Sequence, residues 1–238
     1  MKLDNATQAL GLLIGSQLFL LTFTIGVYVL SLWLFRRTRI GLLHPLLTSA
    51  AVIIVFLLAT GISYEHYHQA TTLIDFMLGP SVVALGYALY RQVEQLRANA
   101  VSIVTSVVVG SVVGIVSVIV ILRLFGAEHA IEASLVPKSV TTPIAMSIAE
   151  RSGGIGSLTA IVVVFTGIFG SIVGPFVLRK LKITSRIAKG LALGSAAHGV
   201  GTARAMEMGA VEGAVSGLAI GLMGLITALL VPVIERIL

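Results

Sequence analysis

Two stretches of the chain carry side chains able to do chemistry. In "SLVPKSVTTPIAMSIAERSGG" (134–154), Lys138, Ser139, Thr141 and Thr142 crowd between Pro137 and Pro143 within an otherwise apolar stretch. Each proline removes a backbone donor and interrupts helical hydrogen bonding. A lysine at depth in a membrane costs about 2.5–3.5 kcal/mol even on insertion scales, so something must offset it. A lysine, several hydroxyls and the positive N-terminal end of a half-helix together make an anion site. The plainer account lets the hydroxyls bond back to helix carbonyls while Lys138 snorkels to the surface. It covers one or two such residues and leaves the whole set between two prolines unexplained.

The second stretch is "GLALGSAAHGVGTARA" (190–205). Gly190, Gly194, Gly199 and Gly201 each lower helix propensity by about 1 kcal/mol relative to alanine. Small residues also serve close helix packing in membranes, but that does not account for His198 and Arg204. Ionisable groups within a span usually face a cavity or a partner, and Ser195, Thr202 and Arg204 lie within two turns of His198. Histidine titrates near neutral pH, which makes His198 a candidate proton site. Glu207, three residues after Arg204, is placed to pair with it. The candidate anion contacts are therefore Lys138, Ser139, Thr141, Thr142, Ser195, His198, Thr202 and Arg204. The candidate helix breaks are Pro80, Pro137, Pro143, Gly194, Gly199 and Gly201. At Gly79-Pro80 the break has only Ser81, Tyr87 and Tyr90 as polar company, and Asp75 suits a helix start. The two histidines of "HYH" (66–68) cannot share a helix face. The sequence offers no metal site, no phosphate loop and no nucleophile–base pair, so neither a cofactor nor catalysis is expected.

The elements that hold these residues follow from composition. Of 238 residues, 57% are hydrophobic and 11% charged, against about 25% charged in soluble domains; the mean hydropathy is +1.05. Residues 40–64, 98–122, 152–178 and 213–234 include runs free of Asp, Glu, Lys and Arg that are long enough to cross a bilayer as helices. This predicts an all-α, polytopic membrane protein spanning at Ala9–Phe35, Leu42–Ser63, Thr72–Tyr90, Ala98–Phe125, Gly156–Leu178, Ile187–Ala205 and Gly213–Ile234. The first segment is too long for a signal-peptide core and lacks a cleavage pattern. The net charge of +6 gathers at span ends, where it sets orientation, and implies no nucleic-acid partner. Without cysteine there is no disulfide framework.

Arg36, Arg37 and Arg39 place the first loop in the cytoplasm, as do Arg91 and Arg97 for the third loop. If residues 130–152 crossed fully, the cluster Arg179, Lys180, Lys182, Arg186 and Lys189 would lie outside. A re-entrant path for 130–152 keeps it inside, puts "MEMGAVE" outside and ends the chain inside at Arg236. A shift of 115 residues aligns "LGPSVVALGYAL" (78–89) with "LGSAAHGVGTAR" (193–204) and lays the fourth span on the last. The expectation is two membrane halves, 1–125 and 126–238, related as inverted repeats with broken or re-entrant helices. That arrangement is typical of secondary transporters, with substrate near the midplane.

Both motifs carry a family resemblance. With "LVPKSVTTPIA" and "AKGLALGSAAHGVGTARAMEMGAVEGAVSGLA", the chain resembles the LrgB/CidB family from about "HPLLTSA" (44–50) to the C-terminus. The resemblance implies a bacterial plasma (inner) membrane location and action beside a small LrgA/CidA-type membrane protein. It also implies one of two functions. Bacterial members are described as antiholin-like regulators of murein hydrolase activity and lysis. Relatives, including a plastidic glycolate/glycerate translocator, point to transport of small carboxylates. The broken segments with Lys138, His198 and Arg204 favour a proton-coupled carrier of pyruvate-, glycolate- or glycerate-type substrates, and a homodimer is expected.

Overall fold

Hydrocarbon offers no partner to an open backbone, so apolar segments close their hydrogen bonds internally. The computed structural model describes residues 13–38, 40 and 43–237, and every regular element among them is a helix. Residues 9–12 of the first predicted span, Arg39, and Leu42 of the second lie outside the described residues. Helices long and apolar enough to cross a membrane are α1 (Gln17–Thr38), α7 (Ala100–Leu124), α10 (Gly156–Lys180) and α12 (Ala210–Ile237). The protein is an all-helical membrane protein.

Contacts divide the chain into residues 1–84 and 85–238. In the first unit, α1 packs on α2 (Pro45–Thr60) through Phe19, Phe23 and Phe56, with the Phe23 and Phe56 rings 4.3 Å apart. α2 is shorter than its predicted span because both ends are fixed locally. Pro45 opens it, where a missing N–H is no loss, and Gly61, at φ 72°, closes it with a bond to the Leu57 carbonyl. α3 (Tyr64–Ala70) is capped by Ser63 and tied to the α1 side by Thr24–Tyr67 (2.9 Å) and by His66 on the Gly15 carbonyl (2.6 Å). The third predicted span divides into α4 (Thr72–Phe76) and α5 (Leu78–Tyr90), the latter running past the unit boundary. The interruption lies at Met77, not at Gly79-Pro80. Pro80 sits in the first turn of α5, where a helix needs no partner for that N–H.

In the second unit, α6 (Val93–Ala98) leads into α7, and α8 (His129–Leu135) and α9 (Thr142–Arg151) precede α10. α7 buries one stripe, Ile103, Val107, Ser111, Ile115 and Ile119, and exposes most of the rest; Val101 is 79% accessible. The stripe meets α12 in order. Ile103 and Val107 share a cluster with Val215 and Ala219, the Ser111 hydroxyl lies 3.0 Å from the Met223 sulfur, and Ile115 and Ile119 join Val231. α7 and α12 therefore run parallel. The 115-residue inverted repeat is corrected by this, because it would make its fourth and last spans antiparallel. The C-terminus is corrected with it. The Ser152 hydroxyl donates to Glu235 (2.9 Å), so α12 ends beside residues 123–155 and away from the Arg179–Arg186 end.

α11 (Arg186–Met208) does not run straight. Ala197 and His198 leave helical geometry, the latter at φ 40°, ψ −129°. Leu193 and Ala205 share one buried cluster, although a straight helix would set them about 18 Å apart. Gly190 lies against Val215, and Met206 against Gly213. Both halves thus run along the first turns of α12, and α11 folds back on itself. The predicted span Ile187–Ala205 is replaced by a helical hairpin.

α8 and α9 fold back similarly. His129 at the start of α8 bonds the Ser152 carbonyl at the end of α9 (3.0 Å), and the Ser134 hydroxyl accepts from the Ile155 N–H (2.7 Å). Gly154 fits only because it has no side chain; a Cβ there would stand 2.8 Å from the Ser134 nitrogen. Two segments of this second unit thus have one plan. α7 and α10 are both 25 residues long, and α10 begins 56 residues after α7, at Gly156 against Ala100. α7 ends in a 6→1 turn, Ala127 N–H to Leu122 O, around Gly126; α10 ends in the same turn, Ile183 N–H to Leu178 O, around Lys182. A fold-back hairpin follows each.

Candidate functional site

The first hairpin breaks at 136–141. Val136–Ser139 form turns, and Pro143 occupies the first turn of α9, where it starts the helix without loss of a bond. Thr141 flanks that helix at φ −65°, ψ 149°, but its hydroxyl makes no cap. The N-terminal donors of α9 are left to other partners. Lys138, Ser139, Thr141 and Thr142 are all half-buried. The ion pairs among the described residues are His68–Asp75, Arg123–Glu132 and Arg204–Glu207, so Lys138 has none.

The second break is held by tertiary contacts. His198 is buried (6% accessible), and its Nε2 lies 2.9 Å from the Val163 carbonyl oxygen of α10. Room for it comes from α10. A Cβ on Gly167 would stand 2.5 Å from the His198 ring, one on Gly170 2.6 Å from the Ala197 Cβ, and one on Gly174 2.7 Å from Leu193. The spacing i, i+3, i+7 gives α10 a smooth face on which the break lies. Gly194 abuts the Ser216 backbone and Gly201 the Leu193 carbonyl, so both serve close approach; the turn itself falls at Ala197–His198, with Gly199 just after it in open space. The Thr202 and Ser216 hydroxyls bond at 2.7 Å.

Val140 of the first break and Val163, whose carbonyl takes the His198 hydrogen, belong to one buried apolar cluster with Val215 and Ala219. The two breaks therefore converge on the same core. Ser195 is half-buried with no side-chain bond among the described residues. Two predicted contacts are otherwise engaged: Thr202 with Ser216, and Arg204 with Glu207 on a partly exposed flank. A cleft of about 330 Å³ between α9 and α12 takes in Pro143, Ile144, Ser147, Arg151 and Pro232, but neither Lys138 nor His198.

The sequence reading missed Val163, Gly167, Ser216 and the fork in which Arg123 donates Nε and Nη2 to Glu132, both at 3.0 Å. The glycine spacing in "TGIFGSIVGP" was the available signal for the first pair. No group of His, Cys, Asp and Glu among the described residues could hold a metal ion.

A profile of the LrgB-like family matches residues 24–237. The chain belongs to that family. This LrgB-like protein is 35% identical to the uncharacterized protein YxaC of Bacillus subtilis over 217 residues, 91% of this chain and 94% of the relative. It is 36% identical to YwbG of the same organism over 209 residues, covering 88% and 93%. It is 34% identical to the antiholin-like protein LrgB of Bacillus mycoides over 206 residues, covering 86% and 90%. No solved structure matches the chain.

Proposed function

We propose that this LrgB-like protein is a secondary carrier of small monocarboxylates of the pyruvate, glycolate or glycerate type, coupled to protons, in the bacterial plasma membrane. The observation that carries the reading is the pair of fold-back hairpins, broken midway, that approach one apolar core from opposite ends of α10. In this reading both are re-entrant, and α7–α9 and α10–α11 form an inverted repeat with a period of about 56 residues, in place of the longer one. Such repeats flank the substrate site of many secondary transporters. Arg91, Arg97, Arg179, Lys180, Lys182, Arg186 and Lys189 gather at the end where α7 begins and α10 stops, which makes that end cytoplasmic. Lys138, the α9 N-terminus and the hydroxyls of Ser139, Thr141 and Thr142 bind the carboxylate beside His198. Arg204 guides anions at the flank while it pairs with Glu207.

A second reading rests on the relatives. Several carry the name antiholin-like protein LrgB, which speaks more directly for regulation of murein hydrolase activity and lysis than for transport. Under either reading a small LrgA/CidA-type membrane protein is the proposed partner, and the protein itself forms a homodimer.

The test is uptake of labelled pyruvate and glycolate into proteoliposomes, with the purified protein and with its LrgA-like partner added. Saturable uptake, weakened roughly 10- to 150-fold in apparent affinity by Lys138→Ala, is expected for loss of one charge-assisted contact. No uptake in either preparation would leave the antiholin-like regulator as the function.

A further inference from the structure

His198 is held by a group that can only accept. The Val163 carbonyl oxygen lies 2.9 Å from Nε2, so Nε2 carries the hydrogen and donates it. In the neutral imidazole this leaves Nδ1 as a bare lone pair. Nδ1 has no hydrogen-bond partner among the described residues. The ring cannot readily exchange its two nitrogens. Its Nε2 edge rests against α10 so closely that a Cβ on Gly167 would stand 2.8 Å from that atom.

Few charges surround the ring. α10 has no ionisable side chain between Gly156 and Leu178, and α7 has none between Ala100 and Leu122. α12 offers only Glu212 before Glu235, and Glu212 lies at the far end of the hairpin beside Gly190 and Gly209. On α11 itself, Arg186 and Lys189 stand at the start, and Arg204 pairs with Glu207. From the first hairpin, Lys138 stands two residues before Val140, which packs in the same cluster as Val163.

We infer that His198 accepts an anion only as its imidazolium, so that each carboxylate bound at the break brings one proton onto Nδ1. A carboxylate presents lone pairs alone. Against neutral His198 it meets another lone pair; against the imidazolium it accepts an N–H hydrogen bond. The Val163 carbonyl thus fixes which nitrogen takes the proton and makes anion and proton bind together. Lys138 attracts the anion without coupling it. The inference rests on the carrier reading and gives that reading its coupling step.

The experiment is calorimetric titration of the full-length protein in detergent with pyruvate, at about pH 8, above the ordinary imidazole range. Two buffers of different ionisation enthalpy report the protons taken up per anion bound. The expected result is about one proton per pyruvate in the wild type, with affinity falling about tenfold per pH unit as pH rises. Near-zero uptake with residual binding is expected in His198→Gln. Lys138→Ala should lower affinity while the proton count stays near one. Pyruvate binding by the wild type with no proton uptake would overturn the inference and leave the carrier reading standing. No binding of pyruvate or glycolate between about pH 5 and 8 would overturn the carrier reading, and the inference with it.

Discussion

The breaks at 136–141 and at Ala197–His198 differ in what holds them open. The first is written into the chain by Pro137 and Pro143, which withdraw backbone donors in any surroundings. Its polar side chains are left with little to do in the resting protein: Lys138 has no ion-pair partner among the described residues, and Thr141 makes no cap. The second contains no proline. It exists because His198 holds a positive φ that costs on the order of 1–3 kcal/mol, offset by its bond to Val163 and by packing against the glycines of α10. One break is local and chemically idle; the other is tertiary and chemically committed. Substitutions at the first should therefore cost binding and leave the fold intact, and at the second they should cost the fold as well.

The largest expected effect breaks the second hairpin outright. Gly201→Leu would drive a side chain into the Leu193 carbonyl, which should destabilise by on the order of 3–5 kcal/mol. Loss of the monodisperse peak in size-exclusion chromatography after mild heating would report it. Gly199→Ala, two residues away in open space, should melt like the wild type. A Gly201→Leu protein of normal stability would mean that the halves of α11 are not packed together.

His198→Ala and His198→Gly sharpen the contrast. Alanine loses the bond to Val163 and keeps the strained backbone, so a loss of about 1–2 kcal/mol is expected. Glycine loses the same bond but relaxes the positive φ, and should recover about 1 kcal/mol of that. Equal melting temperatures for the two variants would show that the φ of 40° carries no strain.

Thr202→Val should cost about 1–2 kcal/mol, because the buried Ser216 hydroxyl is left without its partner; Thr202→Ser should restore most of it. The smallest effect belongs to the first break. Lys138→Ala should change stability by less than about 0.5 kcal/mol, since it breaks no ion pair among the described residues, even where it lowers anion affinity. A large drop in melting temperature would assign Lys138 to structure.

The sequence made the long helices legible because burial in lipid demands unbroken apolar runs, as in Ala100–Leu124 and Gly156–Lys180. The first break was legible because proline acts locally. The second was placed only approximately, near Gly199, because nothing about Ala197 or His198 taken alone favours a turn; the φ of His198 is imposed by α10. That α11 turns back was not legible at all. A stretch of some twenty small and apolar residues satisfies the length rule equally as a crossing or as two half-helices. Its direction decides where α12 ends, so the expected side of Arg236 went wrong with it. Thr202 and Arg204 were recognised as polar groups needing partners, but Ser216 is fourteen residues from Thr202 and no sequence spacing pointed to it.

The Arg123–Glu132 fork bears on how the chain is made. Glu132 is almost fully buried, and its counter-charge lies nine residues upstream. Arg123 therefore leaves the ribosome first, and no later segment is needed to complete the pair. The buried carboxylate of the first hairpin can enter the bilayer already paired, early in biogenesis. The second must wait, because its turn rests on α10 and its Thr202 on a residue of α12 that is synthesised afterwards.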